Sequence, residues 1–206
     1  VVPAVFLAPV SWQTYQSLLT DLTDHSTVRL TYQQGYLEIT MPLSPTHERY
    51  SSLIDKFIMV LSEELQLEID SLGSTTLSRE DLQHGLEPDN CYYVQHEMLV
   101  REEQRLNLMQ LPPPDLVVEV DITSFSIDKL VSYRALGVPE VWRYEGNNLF
   151  IYQLRGEEYV TGENSPTFAN LPLTTVIPQL LKQRAKRGQM ALRREFRNWI
   201  KDHVQK

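Results

Sequence analysis

The sequence predicts an α/β or α+β fold with a mixed central sheet flanked by helices. Three prolines precede a compact β-branched run at residues 116–120, which indicates a buried strand. Residues 127–136 then follow a helical spacing that ends at Gly137, and a second β-rich run starts at residue 139. Strand, helix and strand in this order form a crossover unit, which joins two parallel strands of one sheet.

The composition is that of a soluble protein with one main domain. The 206 residues are 42% hydrophobic, which is enough to bury one substantial core, and no low-complexity linker divides them. The single cysteine, Cys91, cannot form an internal disulfide, which favours a reducing cytoplasm. No apolar run approaches the roughly 20 residues that cross a bilayer. We therefore expect a cytoplasmic protein with no membrane partner.

Charge is distributed unevenly along the chain. The net charge of −8 weighs against nonspecific binding to nucleic acid. Residues 184–206, however, contain eight Lys or Arg against two acids. This segment is either a phosphate-binding arm or an amphipathic helix that packs through residues such as Phe196 and Trp199. We therefore divide the chain into a main domain at residues 1–183 and a basic C-terminal helix at residues 184–206.

The N-terminal elements are predicted to form scaffold. Ser11 is typical of the N-cap of a short helix. Residues 28–32 and 36–40 alternate on either side of a glycine turn, which predicts an N-terminal hairpin. Pro45 then opens a long amphipathic helix, whose apolar residues recur at helical spacing as far as residue 65. We expect this helix to lie on a sheet.

The first turn of the long helix holds two side chains that can carry chemistry. His47 projects near the apolar stripe, whereas Glu48 lies on nearly the opposite side of the helix. His47 is therefore either a partly buried histidine that bonds a loop carbonyl or an active-site residue. Glu48 is interpreted as a carboxylate favourably placed near the helix N-terminus.

The middle of the chain is predicted to consist of short strands and loops. The expected elements are strands at residues 67–70 and 75–77 and a polar loop at residues 78–85. A further strand is entered through Pro88, with Asp89 and Cys91 on one face. Cys91 is interpreted as a small buried residue. Residues 95–111 are expected to be an irregular connection with a helical turn.

The central strand combines an apolar face with an acidic one. Because strand side chains alternate, Asp115, Val117, Glu119 and Asp121 share a face, and the residues between them are apolar. A glutamate in the middle of a buried strand is costly to desolvate unless a metal or a basic side chain compensates it. Glu119 is therefore expected to have a positive partner. Asp115 is expected to bond backbone amides where the strand starts.

A helix and further strands follow the central strand. Ser126 is the expected N-cap of the helix at residues 127–136, in which Lys129 and Tyr133 form an i, i+4 pair on one flank. The remaining elements are strands at residues 139–144, 149–154 and 157–161 and a helix at residues 174–186, ahead of the basic terminal helix.

Two acids and a lysine form the chemical pattern of the chain. Asp89 lies near the start of one strand, Glu119 in the middle of the next, and Lys129 in the helix after it. Carboxylate oxygens suit Mg²⁺ or Mn²⁺, which complete their shells with water and phosphate. Such an ion lowers the pKa of a bound water, and a lysine ammonium can orient that water or stabilise the transition state. The pattern is typical of a metal-dependent phosphodiesterase.

The segments that carry these residues resemble a known family. Glu87-Pro88-Asp89, the run PDLVVEV, and a lysine before a helix that ends in GVPEVW are similar to the Uma two (Uma2) family of putative restriction endonucleases. This family belongs to the PD-(D/E)XK nuclease superfamily. The resemblance runs from about residue 11 to about residue 181, and its most specific part is the stretch from Glu119 to Trp142.

The resemblance implies a restriction-endonuclease-like domain that cleaves DNA with Mg²⁺ or Mn²⁺ as cofactor. It assigns Asp89 and Glu119 as metal ligands and Lys129 as the catalytic lysine. His47 matches a histidine that is frequent at the start of the family's long helix. The implied partner is DNA, and a two-fold homodimer would be the easiest arrangement for cutting both strands of a duplex.

One departure from the superfamily pattern concerns the lysine. The pattern expects lysine two positions after the acid, but that position holds Asp121. Lys129 can take the role from the following helix if its ammonium reaches back to the acids. Asp121 is then either a further metal ligand or the ion-pair partner of Lys129 or Arg134.

Two functional hypotheses of different classes follow. The first is a Mg²⁺- or Mn²⁺-dependent endodeoxyribonuclease. The alternative is a catalytically inactive nuclease-like protein that binds nucleic acid or a protein partner, and it is favoured if basic side chains neutralise Asp89 and Glu119. An acid–base hydrolase of a small substrate is a third hypothesis, which nothing in the sequence requires.

Overall fold

Two sheets and the helices around them form the fold. The structure is a computed structural model that describes residues 4–22, 28–40, 44–121 and 127–204. The first sheet has five antiparallel strands in the order β1-β3-β2-β6-β5. These strands are β1 (Ala4–Leu7), β2 (Arg29–Gln33), β3 (Tyr36–Thr40), β5 (Leu77–Arg79) and β6 (His84–Leu86).

The second sheet is mixed, as the sequence predicts. Its six strands follow the order β11-β10-β9-β8-β7-β4, with β8 and β9 parallel and the other neighbours antiparallel. They are β4 (Asp70–Gly73), β7 (Asn90–Tyr93), β8 (Leu116–Asp121), β9 (Glu140–Glu145), β10 (Asn148–Arg155) and β11 (Glu158–Gly162). The predicted class, a mixed sheet with helices and an N-terminal hairpin, is confirmed.

The helices connect and cover these sheets. They are α1 (Trp12–Asp21), α2 (Pro45–Leu65), α3 (Glu97–Val100), α4 (Lys129–Leu136), α5 (Leu173–Lys182) and α6 (Gln189–Val204). Helix α4 links the parallel strands β8 and β9, which confirms the predicted crossover unit. Ser11 caps α1 through its side chain, as the sequence predicts, and Ser44 caps α2 in the same way.

One face of the second sheet is covered by α2, α5 and α6. Val118 and Val120 of β8 and Trp142 of β9 belong to this core. Phe57 of α2 and Phe196 of α6 meet in it, with their ring centroids 4.7 Å apart. The apolar face predicted for the central strand is therefore confirmed.

Helix α4 lies between the two sheets. Its Tyr133 and Leu136 pack with Val117 on the other face of the second sheet. Ser132 of the same helix hydrogen-bonds His84 of β6, with 2.9 Å between Oγ and Nδ1. Side chains of α4 can therefore contact both sheets.

The segment predicted as a polar loop at residues 78–85 is instead part of a hairpin. Strands β5 and β6 pair antiparallel, with Ser78 opposite Gly85. Strand β5 lies at the edge of the sheet, where polar residues are tolerated. These polar residues make the strand hard to recognise in the sequence. Gly85 is required within β6, since a Cβ there would lie 2.3 Å from the Tyr15 hydroxyl.

Other predicted boundaries shift by a few residues. The strand predicted at residues 67–70 is β4, which starts at Asp70, because Leu67 and Ile69 pack against the core rather than join the ladder. The strand predicted at residues 75–77 is β5, which starts at Leu77. The helix predicted at residues 174–186 is α5, which ends at Lys182.

Helix α4 starts later than predicted. Its N-cap is Asp128, whose side chain accepts a hydrogen bond of 3.1 Å from the backbone amide of Leu130. Ser126, the predicted cap, lies outside the described residues. Gly137 ends the helix with a φ of 78°, the left-handed conformation that the sequence predicts.

Helix α6 packs on α2, as its amphipathic pattern indicates. Leu192, Phe196 and Ile200 are buried there. On the same side, Arg197 forms ion pairs with Glu63 and Glu64 of α2. None of the helices in the described ranges is both long enough and apolar enough to span a bilayer.

Candidate active site

The candidate site lies where the chain crosses from the first sheet to the second. A two-residue link, Glu87 and Pro88, leads from β6 to Asp89, which directly precedes β7. Because β7 pairs antiparallel with β8, Asp89 lies near Glu119 of β8. Both acids are buried, with exposed fractions of 7% and 4%.

Three donors hold the carboxylate of Asp89. Arg29 of β2 donates from Nη1 to Oδ1. Oδ2 lies 2.9 Å from Nε2 of His47 and accepts a hydrogen bond of 2.7 Å from the backbone amide of Val120. Burial alone would raise the pKa of Asp89, but the His47 bond and the charges of Lys129 and Arg29 lower that pKa to about 2. Asp89 is therefore held as an anion.

Two side chains of α4 hold the carboxylate of Glu119. Lys129 donates from Nζ to Oε2 over 2.8 Å, and the Tyr133 hydroxyl donates to Oε1. Burial raises the pKa of Glu119 despite the opposing charge of Lys129, and the negative charge of Asp89 raises it further. Burial would lower the pKa of Lys129, but the charges of Glu119 and Asp89 outweigh burial and raise it. Lys129 therefore stays a cation.

The two acids consequently differ in their protonation chemistry. The pKa of Asp89 is lowered and that of Glu119 is raised, although the two belong to neighbouring segments of one sheet. Paired carboxylates whose pKa values are driven apart are common in active sites. This arrangement allows one acid to stay charged while the other exchanges a proton more easily.

The four residues that the sequence singles out form one network, in which two contacting pairs are linked electrostatically. His47 contacts Asp89, Lys129 contacts Glu119, and Lys129 is within electrostatic reach of Asp89. Lys129 therefore does reach back from its helix to the central strand. The predicted orientations of the α2 residues are also found, since the His47 side chain is buried and that of Glu48 is 62% exposed.

Asp121 is not part of this network. Its carboxylate pairs with Arg143 of β9, with 2.5 Å between Oδ2 and Nε. Asp121 therefore forms an ion pair, but the predicted partner, Lys129 or Arg134, is wrong. In the parallel register, Arg143 of β9 lies opposite Glu119 of β8. Asp121 is two residues further along β8 and points to the same face as Glu119, so it is a diagonal neighbour of Arg143.

Two other predictions concern residues near the site and are confirmed. Asp115 accepts hydrogen bonds from the backbone amides of Val94, at 2.7 Å, and His96, at 3.0 Å. It thus secures the chain where β8 starts. Cys91 is fully buried, and burial raises the pKa of its thiol to about 12, which is unsuited to a nucleophile.

Local sequence patterns do not assign three of the residues at the site. Arg29 of β2 and Glu38 of β3 approach the site from the first sheet, and Tyr133 contacts Glu119 from α4. Glu38 carried a usable signal, because it is an acid between apolar residues of a predicted strand, as Glu119 is. Arg29, Glu38 and Tyr133 converge because of how the two sheets meet, and no local sequence pattern encodes that meeting.

The donor set suits a hard divalent cation. Asp89 and Glu119 supply carboxylate oxygens, the ligands that Mg²⁺ and Mn²⁺ prefer. In the described ranges, no three His, Cys, Asp or Glu side chains are gathered closely enough to enclose an ion. A Mg²⁺ ion held by one or two carboxylates completes its shell with water.

Comparison with known proteins bears on the fold and on the family. A crystal structure titled as that of a "putative nuclease belonging to DUF820" from Anabaena variabilis matches with a TM-score of 0.52 at 16% identity. The match covers 74% of this chain and 89% of that one, and it supports the fold. No curated protein matches. The model of the Uma2 family, described as "Putative restriction endonuclease", matches residues 12–185, and the chain therefore belongs to this family.

Proposed function

We propose that the protein is a Mg²⁺- or Mn²⁺-dependent endonuclease that hydrolyses DNA phosphodiester bonds. The observation that supports this most is the placement of Lys129 on Glu119, beside Asp89, at one end of the central strands. The opposite pKa directions of the two acids add to it. Membership of a family described as restriction endonucleases supports the reaction class.

Each residue of the network has a role in this proposal. Asp89 and Glu119 hold the cation, which when bound would lower the pKa of a water and neutralise charge on the phosphate. Lys129 orients the attacking water or stabilises the charge that develops on the phosphate. His47 and the amide of Val120 fix the carboxylate of Asp89 through Oδ2. Oδ1 of Asp89, which accepts a hydrogen bond from Arg29, keeps a second lone pair that can act as a ligand.

The basic C-terminal segment is the proposed contact for DNA phosphates. Several of its cations are paired with acids, among them Arg197 and Lys201. In the described part of the chain, four others have no carboxylate in ion-pair contact: Arg184, Lys186, Arg193 and Arg194. Lys186 and Arg194 are exposed and remain available for phosphate, whereas the Arg184 guanidinium lies over the Tyr50 ring and Nε of Arg193 is buried. A two-fold homodimer remains part of the proposal for a duplex cut on both strands.

A specific observation favours the alternative, a nuclease-like protein that binds without cleaving. Arg29 and His47 occupy Asp89, and Lys129 occupies Glu119, so basic side chains already compensate both acids. Asp121 also stands where the superfamily pattern has lysine. In this alternative the ion pairs hold the two sheets together and the surface binds nucleic acid or a protein.

Cleavage of supercoiled plasmid DNA with Mg²⁺ or Mn²⁺ distinguishes the two functions. The proposal expects nicked or linear product from the unmodified protein, loss of product in Asp89→Asn, and a lower turnover with little change in Mn²⁺ affinity in Lys129→Ala. Asp81→Asn is the control, because Asp81 is a surface acid that pairs with Arg79. DNA binding without cleavage in either metal would establish the alternative.

A further inference from the structure

Glu38 is a buried acid with one unused oxygen. Its side chain is only 1% exposed. Oε2 accepts a hydrogen bond of 3.0 Å from the backbone amide of Ile127. None of the residues that the structure describes forms a hydrogen bond with the buried Oε1. An unsatisfied buried carboxylate oxygen is costly, so this atom is expected to have a partner that the described residues do not supply.

The register of the N-terminal hairpin directs Glu38 towards the candidate site. Glu38 lies opposite Thr31, and Arg29 lies opposite Thr40, so these four residues share one face of the first sheet. Arg29 reaches Asp89 from this face. Leu37, the neighbour of Glu38, belongs to the core on the other face, beside α1.

The bond to Ile127 brings Glu38 close to the start of α4. Ile127 precedes Lys129 by two residues, and Lys129 holds Glu119. Lys129 and Asp121 both lie within electrostatic reach of the Glu38 carboxylate. The unused oxygen therefore belongs to the same junction between the sheets as Asp89 and Glu119.

We propose that Glu38 is a third acid of the divalent-cation site, whose unpartnered oxygen accepts a hydrogen bond from a water molecule bound to the cation. This inference rests on the proposed function. Mg²⁺ and Mn²⁺ sites with two protein carboxylates retain water ligands, and these waters need acceptors. A contact through water also agrees with the described side chains, since no three of the acids and histidines gather tightly enough to coordinate one ion directly.

The test compares two isosteric variants by titrating Mn²⁺ calorimetrically into the full chain. Glu38→Gln and Glu87→Gln each remove one negative charge from the same junction. Glu87 lies within electrostatic reach of Lys129 and Arg29, but its Oε1 already accepts a hydrogen bond of 3.1 Å from Thr76. We expect Mn²⁺ affinity to fall about tenfold or more in Glu38→Gln and to change much less in Glu87→Gln.

Thermal unfolding without metal separates this role from a purely structural one. The amide oxygen that Glu38→Gln introduces can still accept from Ile127, and a buried charge is lost, so this variant is expected to unfold at an unchanged or higher temperature. Glu38→Asp, which keeps the charge but shortens the side chain, should also weaken Mn²⁺ binding.

The outcomes also separate this inference from the proposed function. Mn²⁺ binding to the unmodified protein with equal affinities in Glu38→Gln and Glu87→Gln would overturn the role of Glu38 alone. A loss in Glu38→Gln with full affinity in Glu38→Asp would mean that only charge matters and would overturn it too. Failure of the unmodified protein to bind Mn²⁺ would overturn both.

Discussion

Two buried glutamates in neighbouring parallel strands have opposite surroundings. Glu119 of β8 is 4% exposed and Glu140 of β9 is 2% exposed. Glu140 accepts hydrogen bonds from the Trp142 indole, the Ser165 hydroxyl, and the amide and hydroxyl of Thr167, all of which are neutral donors. Glu119 is held by the ammonium of Lys129 and by a tyrosine hydroxyl.

Burial alone therefore does not distinguish a structural acid from a chemical one. Neutral donors saturate Glu140 and fasten the loop at residues 165–167 to the sheet, which is a structural task. Burial raises the pKa of Glu119 against the opposing charge of its cationic partner Lys129, and the nearby Asp89 raises it further. The nature of the donors, rather than the loss of solvent, identifies the candidate site.

The largest expected effect sharpens this comparison through activity. Glu119→Gln should lower the rate of metal-dependent DNA cleavage by at least about a hundredfold, because a metal ligand and the partner of Lys129 are lost together. Glu140→Gln, assayed at a temperature where it is folded, should cleave at the unmodified rate. Equal losses in the two variants would mean that both acids act through the fold.

Stability should show the reverse order. Glu140→Ala leaves several buried donors without an acceptor and should lower the free energy of unfolding by about 3 kcal/mol. The double variant Glu119→Gln with Lys129→Met removes both members of a buried ion pair. It should change the free energy of unfolding by about 1 kcal/mol or less. Urea unfolding measures both, and a double variant as unstable as Glu140→Ala would make the ion pair structural.

Two buried histidines repeat the contrast and predict opposite pH dependences. The His47 pKa, which burial alone would lower, is raised by the bond to Asp89. Its contribution to stability should be full below about pH 6.5 and be lost as the pH rises through the raised value. Burial lowers the pKa of His84, whose partner is the neutral Ser132. That contribution should be present above about pH 6.5 and be lost as the pH falls through the lowered value.

Urea titrations from about pH 5 to about pH 9 test this smaller effect. His47→Gln should be most destabilised relative to the unmodified protein at the acidic end. His84→Gln should be most destabilised at the alkaline end. Parallel curves for the two variants would show that the partners of these histidines do not control their titration.

The parts of the site that the sequence reveals are those set by local periodicity. Strand alternation identifies the acidic face around Glu119, and helical spacing turns His47 inward and Glu48 outward. The prolines at residues 112–114 mark the start of the crossover unit, and Gly137 marks the end of its helix. These features depend on residues within a few positions of one another, so the sequence suffices for them.

The remaining parts depend on contacts between distant segments. Arg29 and Asp89 are 60 residues apart, and Glu38 and Ile127 are 89 apart, so their contacts follow from the meeting of two sheets. The pairing of Asp121 with Arg143 follows from the parallel register of β8 and β9. Alternation shows which face a side chain occupies but not what packs against that face.

Anomalous diffraction from crystals soaked in Mn²⁺ tests the central claim most directly. The claim predicts a peak at the carboxylates of Asp89 and Glu119, with Lys129 beside it. Absence of a peak, with Asp89 still paired to Arg29 and Glu119 to Lys129, would contradict it and establish a nuclease-like fold that binds without metal-dependent cleavage.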